Sequence, residues 1–285
     1  MNPLAFSTNA FKRNTLEQAI EAIARAGYGG VELMADIPHA YPPSLDAAAR
    51  RNLKQRIASL GLKVSNVNAF TLFACGDTYH PTWIEVEDDK RSLRVAHTIS
   101  SIELASEFEC GTVSVQPGGP LIGGSQDRLA AIRRFAQGLE RVLSKTDKSG
   151  VILAIEPEPG LLFQAAGEYL EFKNAHFPRE SRIRMNCDIG HLFCVGEDPA
   201  GVIISMPEEI AHVHLEDIGE NRVHQHLTPG KGVIDFRSIF AAFDQIAFTG
   251  WVTVELYPYE TTAADVALQA MEYLRPILSR SASLA

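Results

Sequence analysis

The chain has 285 residues, of which 46% are hydrophobic and 21% charged, with a formal net charge of -9 and a pI of about 5.5. That is globular composition with length for a sizeable core, and an acidic balance without a basic stripe argues against binding a phosphate backbone. Four unpatterned cysteines, an N-terminus without a basic, apolar leader and no apolar run near the ~20 residues of a membrane span make a reducing, cytoplasmic setting the expectation.

In chain order, short β-rich runs alternate with amphipathic helical runs. Residues 3–8 read as a first strand. Thr15 caps a helix carrying Leu16, Ala19, Ile20 and Ile23, which ends near Gly27. A second strand follows at 30–35, a helix at 45–60, a third strand at 63–70, a helix at about 88–109, and a fourth strand at 112–116. The second half continues with a helix at 125–147, strands at 151–156, 183–188, 210–215 and 251–256, and helices at 164–176, 198–206, 236–247 and 262–278. Strands alternating with helices imply right-handed crossovers and parallel pairing. Eight such units predict one (β/α)8 barrel over residues 1–285. The competing doubly wound sheet would need a G-x-G-x-x-G turn after the first strand, and the sequence has none.

Parallel barrel strands are buried on both faces and should be apolar throughout. Charge at their C-terminal ends, the catalytic face of such barrels, needs a reason. Four successive strands finish on Glu156, Asp188, His214 and Glu255. Any one alone could cap the next helix or sit satisfied in the core. Together they read as a hard-to-borderline site for one divalent cation such as Mn²⁺, Mg²⁺, Co²⁺ or Zn²⁺, with no organic cofactor. Strand alternation puts His212 a layer below His214, buried rather than coordinating. Glu158 follows Pro157, has left its strand, and reads as a substrate-contacting loop residue. The long segment Thr71–Glu87, with Phe73, Tyr79 and Trp83, is either a lid or a loop pinned to the rim.

The runs Ile155-Glu156-Pro157, Asn186-Cys187-Asp188-Ile189-Gly190-His191, His212-Val213-His214-Leu215-Glu216-Asp217, Pro229-Gly230-Lys231-Gly232 and Val254-Glu255-Leu256 resemble the xylose-isomerase-like barrel superfamily. That group includes sugar-phosphate isomerases, ketose 3-epimerases, inosose dehydratase and apurinic endonucleases. The resemblance implies that Glu156, Asp188, His214 and Glu255 ligate one metal and that Glu156 and Glu255 also form the acid–base pair. His191 and Arg222 would contact substrate, with Lys231 or Arg222 assisting if the substrate is anionic. The spacing from His214 to Arg222 is two residues longer than the epimerase pattern.

His224-Gln225-His226 stands where the endonucleases hold zinc with Asp-x-His. Their further histidine ligands have no counterpart in Asn66–Phe70 or Val115–Gly118. A second metal at His191, His224 and His226 stays open. The expectation is a metal-dependent isomerase or epimerase that moves a proton beside the carbonyl of a small sugar, sugar phosphate or polyol ketone through an enediolate. The alternatives are a dehydratase of an inosose-like substrate, an endonuclease-type hydrolase, and a non-catalytic sugar- or metal-binding barrel. The partner would be a small sugar-like molecule, not nucleic acid or membrane, with homo-oligomers left open.

Overall fold

The computed structural model describes residues 2–121 and 128–281. Its strands are β1 (Leu4–Ser7), β2 (Gly30–Met34), β3 (Lys63–Asn68), β4 (Thr112–Val115), β5 (Ile152–Ile155), β6 (Ile183–Asp188), β7 (Ile210–Leu215) and β8 (Val252–Val254). They pair in parallel in sequence order, and β8 closes on β1. The expected (β/α)8 barrel is therefore the fold. Around it run α1 (Leu16–Ala26), α2 (Ala47–Ser59), α3 (Asp88–Glu107), α4 (Arg128–Lys145), α5 (Ala166–His176), α6 (Ile189–Cys194), α7 (Pro199–Ser205), α8 (Phe236–Gln245) and α9 (Ala263–Ser281). The first residues of the helix expected at 125–147 lie outside the described residues. No described helix is long and apolar enough to cross a membrane.

Local chemistry sets the element ends. Thr15 and Gln18 form a reciprocal capping box at the start of α1, and Gly27 ends it in the left-handed region at φ 92°. A cap of this kind is worth about 1 kcal/mol. Ala19, Ile20 and Ile23 on its inner face are fully buried, each isoleucine contributing roughly 1.5–3 kcal/mol of burial. The strand interiors are apolar and fully packed, as Val31, Leu33, Val67, Val113, Leu153, Met185, Val213 and Val254 illustrate.

The sequence pattern does not anticipate α6. Asp188 is both the last residue of β6 and the N-cap of α6, its side chain accepting from the His191 amide. No loop separates strand from helix, so the usual break signal is missing.

Register decides which side chains meet. Asp188 pairs with His214 and Asn186 with His212 across β6 and β7, and His214 pairs with Thr253 on β8. Asp188 and His214 therefore share a layer at the C-terminal mouth, while His212 lies one layer lower.

A buried acid–histidine cluster at the barrel mouth

Glu156 and Glu255 each directly follow a strand, and Asp188 and His214 sit at or near the end of one. All four are buried, and each offers a donor atom within 4.8 Å of the others. The Nδ1 atom of His214 lies 3.1 Å from Glu156 Oε1, 3.6 Å from Glu255 Oε1 and 3.8 Å from Asp188 Oδ2. Asp188 Oδ2 has no hydrogen-bond partner despite its burial. Carboxylates this crowded repel one another. Burial first, and then neighbouring carboxylates, push Glu156 above the ordinary range and Glu255 well above it. A cation among them would relieve both the repulsion and the orphaned oxygen. The cluster could hold a single divalent metal ion.

A residue absent from the sequence-based candidates completes the arrangement. Glu32, in the middle of β2, is fully buried. Its carboxylate lies 2.7 Å from His214 Nε2 and 3.2 Å from His212 Nε2. It also accepts from Asn66 Nδ2 at 2.9 Å and Asn68 Nδ2 at 3.1 Å. Burial alone would raise its carboxyl, but His214 and His212 hold it well below the usual carboxylate range. An ionised carboxylate only accepts, so His214 Nε2 carries a proton and Nδ1 is the atom turned to the cluster. Burial would lower His214 too; Glu32, Glu255 and Glu156 overcome it and raise the imidazole well above its ordinary value. His212 is buried beneath His214, facing Glu32, as strand alternation requires.

The two glutamates differ in their free valences. Both Glu156 oxygens have partners, Oε1 facing His214 Nδ1 and Oε2 accepting from Asn186 at 2.9 Å. Glu255 Oε1 accepts from Asn9 at 2.8 Å and Asn68 at 3.2 Å. Glu255 Oε2 takes no hydrogen bond among the described residues. Just past the end of β7, Glu216 is fully buried beside Asp188 with neither oxygen partnered. Burial and the Asp188 charge push Glu216 well above the usual range.

A second cluster adjoins the first. His191 Nε2 lies 2.9 Å from His224 Nε2, which lies 3.1 Å from His226 Nε2. The other nitrogens fix the tautomers. His191 Nδ1 meets the Pro157 carbonyl at 3.0 Å, and His226 Nδ1 meets the Glu255 carbonyl at 2.9 Å. Carbonyls only accept, so both Nδ1 atoms are protonated and both Nε2 atoms present lone pairs. Burial holds the two imidazoles neutral, His191 at about 4 and His226 at about 3.

These residues floor a cavity of about 300 Å³. Phe70, Phe73, Tyr79, Tyr257 and Met34 form its apolar side, and Glu158 and Lys12 reach it as well. Glu158 accepts from Tyr79 Oη at 3.1 Å.

The segment Thr71–Glu87 is pinned down. Arg94, buried in α3, donates to the Pro81, Ala69 and Phe70 carbonyls. Gln116 Nε2 holds the Thr78 and Tyr79 carbonyls at 3.1 Å each, and Trp83 is buried. Of the two readings of this segment, the contacts are those of a rim-anchored loop.

Two sequence candidates lie elsewhere. Arg222 donates to the Phe193 carbonyl at 3.0 Å and stacks over the Phe193 ring, 4.4 Å from its centroid, outside the cavity. Lys231 is exposed on a turn whose neighbours Gly230 and Gly232 donate their amides to Asp217 at 2.9 and 2.8 Å. The Pro-Gly-Lys-Gly run thus closes around Asp217. A Cβ at Gly232 would collide with the Ile218 carbonyl, which is the physical reason for glycine there.

An eight-stranded barrel with buried acids and histidines gathered at its C-terminal mouth defines a class, the metal-binding (β/α)8 enzymes. Within it, the xylose isomerase-like TIM barrel family model matches residues 20–277, and the chain belongs to that family. An inosose dehydratase of Lacticaseibacillus casei is 24% identical over 291 residues, spanning 92% of this chain and 90% of its own. A D-tagatose 3-epimerase-like protein superposes with a TM-score of 0.78 at 18% identity, covering 98% of this chain and 99% of that one. The IOLI protein, solved with a zinc atom, superposes with a TM-score of 0.77 at 16% identity, covering 98% of each chain.

Proposed function

We propose that this protein is a metal-dependent enzyme that takes the proton from the carbon beside the carbonyl of a small polyhydroxy ketone and then expels a β-hydroxyl as water. The observation that carries the reading is the pairing of Glu156 and Glu255 over one buried donor set. Glu156, Asp188, His214 and Glu255 would hold the cation. When bound, that cation supplies Lewis-acid polarisation of the carbonyl.

Glu255 is the base. Its Oε1 is fixed by Asn9 and Asn68, which leaves Oε2 to accept the proton. Glu156, with both oxygens engaged, is the more rigid partner and steadies His214. Glu158, backed by the Tyr79 hydroxyl, contacts substrate oxygens at the cavity side. His191 joins it from the floor. The histidine trio, with two lone pairs converging beside His224, is proposed as a second cation site. Its test is metal stoichiometry: two ions per chain support it, and one ion in both wild type and His224→Ala removes it.

Dehydration is favoured over the isomerase or epimerase reading by the inosose dehydratases that match over most of both chains. Epimerisation shares the first step and differs only in returning the proton to the other face. The epimerase-like structural neighbour and the facing glutamates keep it as the second reading.

One experiment separates them. The metal-loaded protein is incubated in D₂O with inososes and ketoses. A product lighter by one water supports the lyase, and deuterium incorporation at unchanged skeletal formula supports the epimerase. No exchange with any ketone would overturn both.

A further inference from the structure

Phe73 lines the cavity but lies outside the hydrophobic core. It is half-buried, with Lys12 Nζ 5.9 Å from its ring centroid. Core packing therefore does little to fix this ring, and its place depends on the backbone that carries it.

That backbone is held by Asp36. Two residues past the end of β2, Asp36 is fully buried. Its Oδ2 accepts from Thr71 Oγ1 at 2.8 Å and from the Phe73 amide. Its Oδ1 accepts from the Ile37 amide at 2.8 Å and the Ala74 amide at 3.1 Å. Hydrogen bonds to an ionised acceptor are the strong ones, and here they converge on the residues either side of the ring. From α3, Arg94 donates to the Ala69 and Phe70 carbonyls. Segment 69–74 is thus gripped by its N–H groups from the β2 side and by its C=O groups from α3. Asp36 itself does not line the cavity, and none of these bonds reaches the acid–histidine cluster.

We propose that Asp36 is a positioning residue for ligand binding, setting the affinity of the cavity through Phe73 without touching ligand or cation. Without the carboxylate, buried donors around Phe73 would lack an acceptor, and the segment would relax toward water and carry the ring off the cavity. The inference rests on the reading of this cavity as a ketone site but concerns binding, not the chemistry that follows.

The test is a double-mutant cycle, read by calorimetric titration of the Mn²⁺-loaded protein with an inosose and with fructose. Asp36→Asn turns an amide NH₂ toward donors that the carboxylate accepted from. It should weaken the better-binding probe by about tenfold, and Phe73→Ala should weaken it to a similar degree. The double variant should be no more than about twofold weaker than Phe73→Ala, because Asp36 has nothing left to position once the ring is gone. Mn²⁺ affinity, read by chelator competition, should stay within about twofold of wild type in all three. Asp36→Glu keeps the charge and shifts the oxygens by one methylene. It should weaken binding by about threefold or more with the same non-additivity, and it carries the cycle if Asp36→Asn does not fold. Losses that multiply, a parallel fall in Mn²⁺ affinity, wild-type binding in the folded Asp36 variants, or no probe bound by the wild type would each overturn the proposal. Failure of the proposed chemistry has a different signature: a probe binds and follows the cycle, yet its α-proton does not exchange with D₂O.

Discussion

Strands β5 to β8 end in Glu156, Asp188, His214 and Glu255, which converge their donor atoms on one point. Strands β1 to β4 and the loops after them bring Asn9, Glu32, Asn66, Asn68 and Gln116 to the same mouth, and these converge on other protein groups. Asn9 and Asn68 donate to Glu255, Asn66 and Asn68 donate to Glu32, and Glu32 takes the proton-bearing side of His214. The half from β5 to β8 supplies the electron pairs, with its own Asn186 aiming Glu156, and the other half supplies the hydrogen bonds that aim Glu255 and His214. A cluster of carboxylates without the aiming half would splay apart under its own repulsion. The amides therefore belong to the site as much as the acids do.

The sharpest way to break this division is to remove a member of the first group. Glu255→Gln is nearly isosteric and keeps an oxygen for a cation, but it is a poor base. Proton exchange at the substrate's α-carbon should fall by about 10²–10⁴-fold, measured together with metal content so that lost loading is not mistaken for lost chemistry. Wild-type exchange in a fully loaded Glu255→Gln protein would move the base to Glu156 or to the histidines.

Glu32→Gln probes the second group. It leaves every donor of the cluster in place and removes the charge that holds the His214 tautomer. Metal affinity, read by chelator competition, should weaken by roughly 10–100-fold while circular dichroism stays native. Unchanged affinity would reduce Glu32 to a core acid with no bearing on the site.

A third test sits farther from the chemistry. His97 in α3 is 5% exposed and neither ring nitrogen has a hydrogen-bond partner. Burial, reinforced by Arg94, pulls it down to about 3 from the ordinary imidazole value of 6.5. The unfolded chain binds this proton below pH 6.5 and the folded chain does not until about pH 3. Stability from this group is complete above that window and is lost as pH falls through it. In His97→Gln, denaturant titrations across the window should show a shallower decline, by about 1.4 kcal/mol per pH unit. An identical slope would show that His97 is already protonated in the folded protein.

The smallest effect is expected at Arg222. Since its guanidinium rests on Phe193, Arg222→Ala should change kcat/KM by no more than about twofold. A larger loss would show that the loop carries it into the cavity when substrate binds.

The same division explains what the sequence makes legible. Strand-end acids in otherwise apolar runs stand out, and the bounds expected for β6 and β7 match the structure residue for residue. Glu32 carried the same signal, a charge flanked by Val31 and Leu33 inside a buried strand. It sits in mid-strand, away from the catalytic strand ends, where a buried charge is read as structural. Asn66 and Asn68 are harder to read, because an amide in a strand is compatible with a structural hydrogen bond as easily as with a site. The loop after β7 is least legible. Spacing counts residues, but the path of this loop is set by Asp217, whose two carboxylate oxygens accept from the amides of Ile218, Gly230, Gly232 and Ile234. Nothing in the residue count says that Arg222 falls on the outward side of that path.

The Asp217 knot also has an evolutionary reading. Asp217 and Leu227 exchange backbone hydrogen bonds at 2.8 Å each, so residues 218–226 form an excursion whose two ends are stitched together. Residues can be gained or lost at its exposed crest, around Gly219–Arg222, without shifting the stitch. A barrel of this kind can therefore trial different crest side chains, long or short, inward or outward, as interchangeable parts while the metal-facing framework below keeps its dimensions.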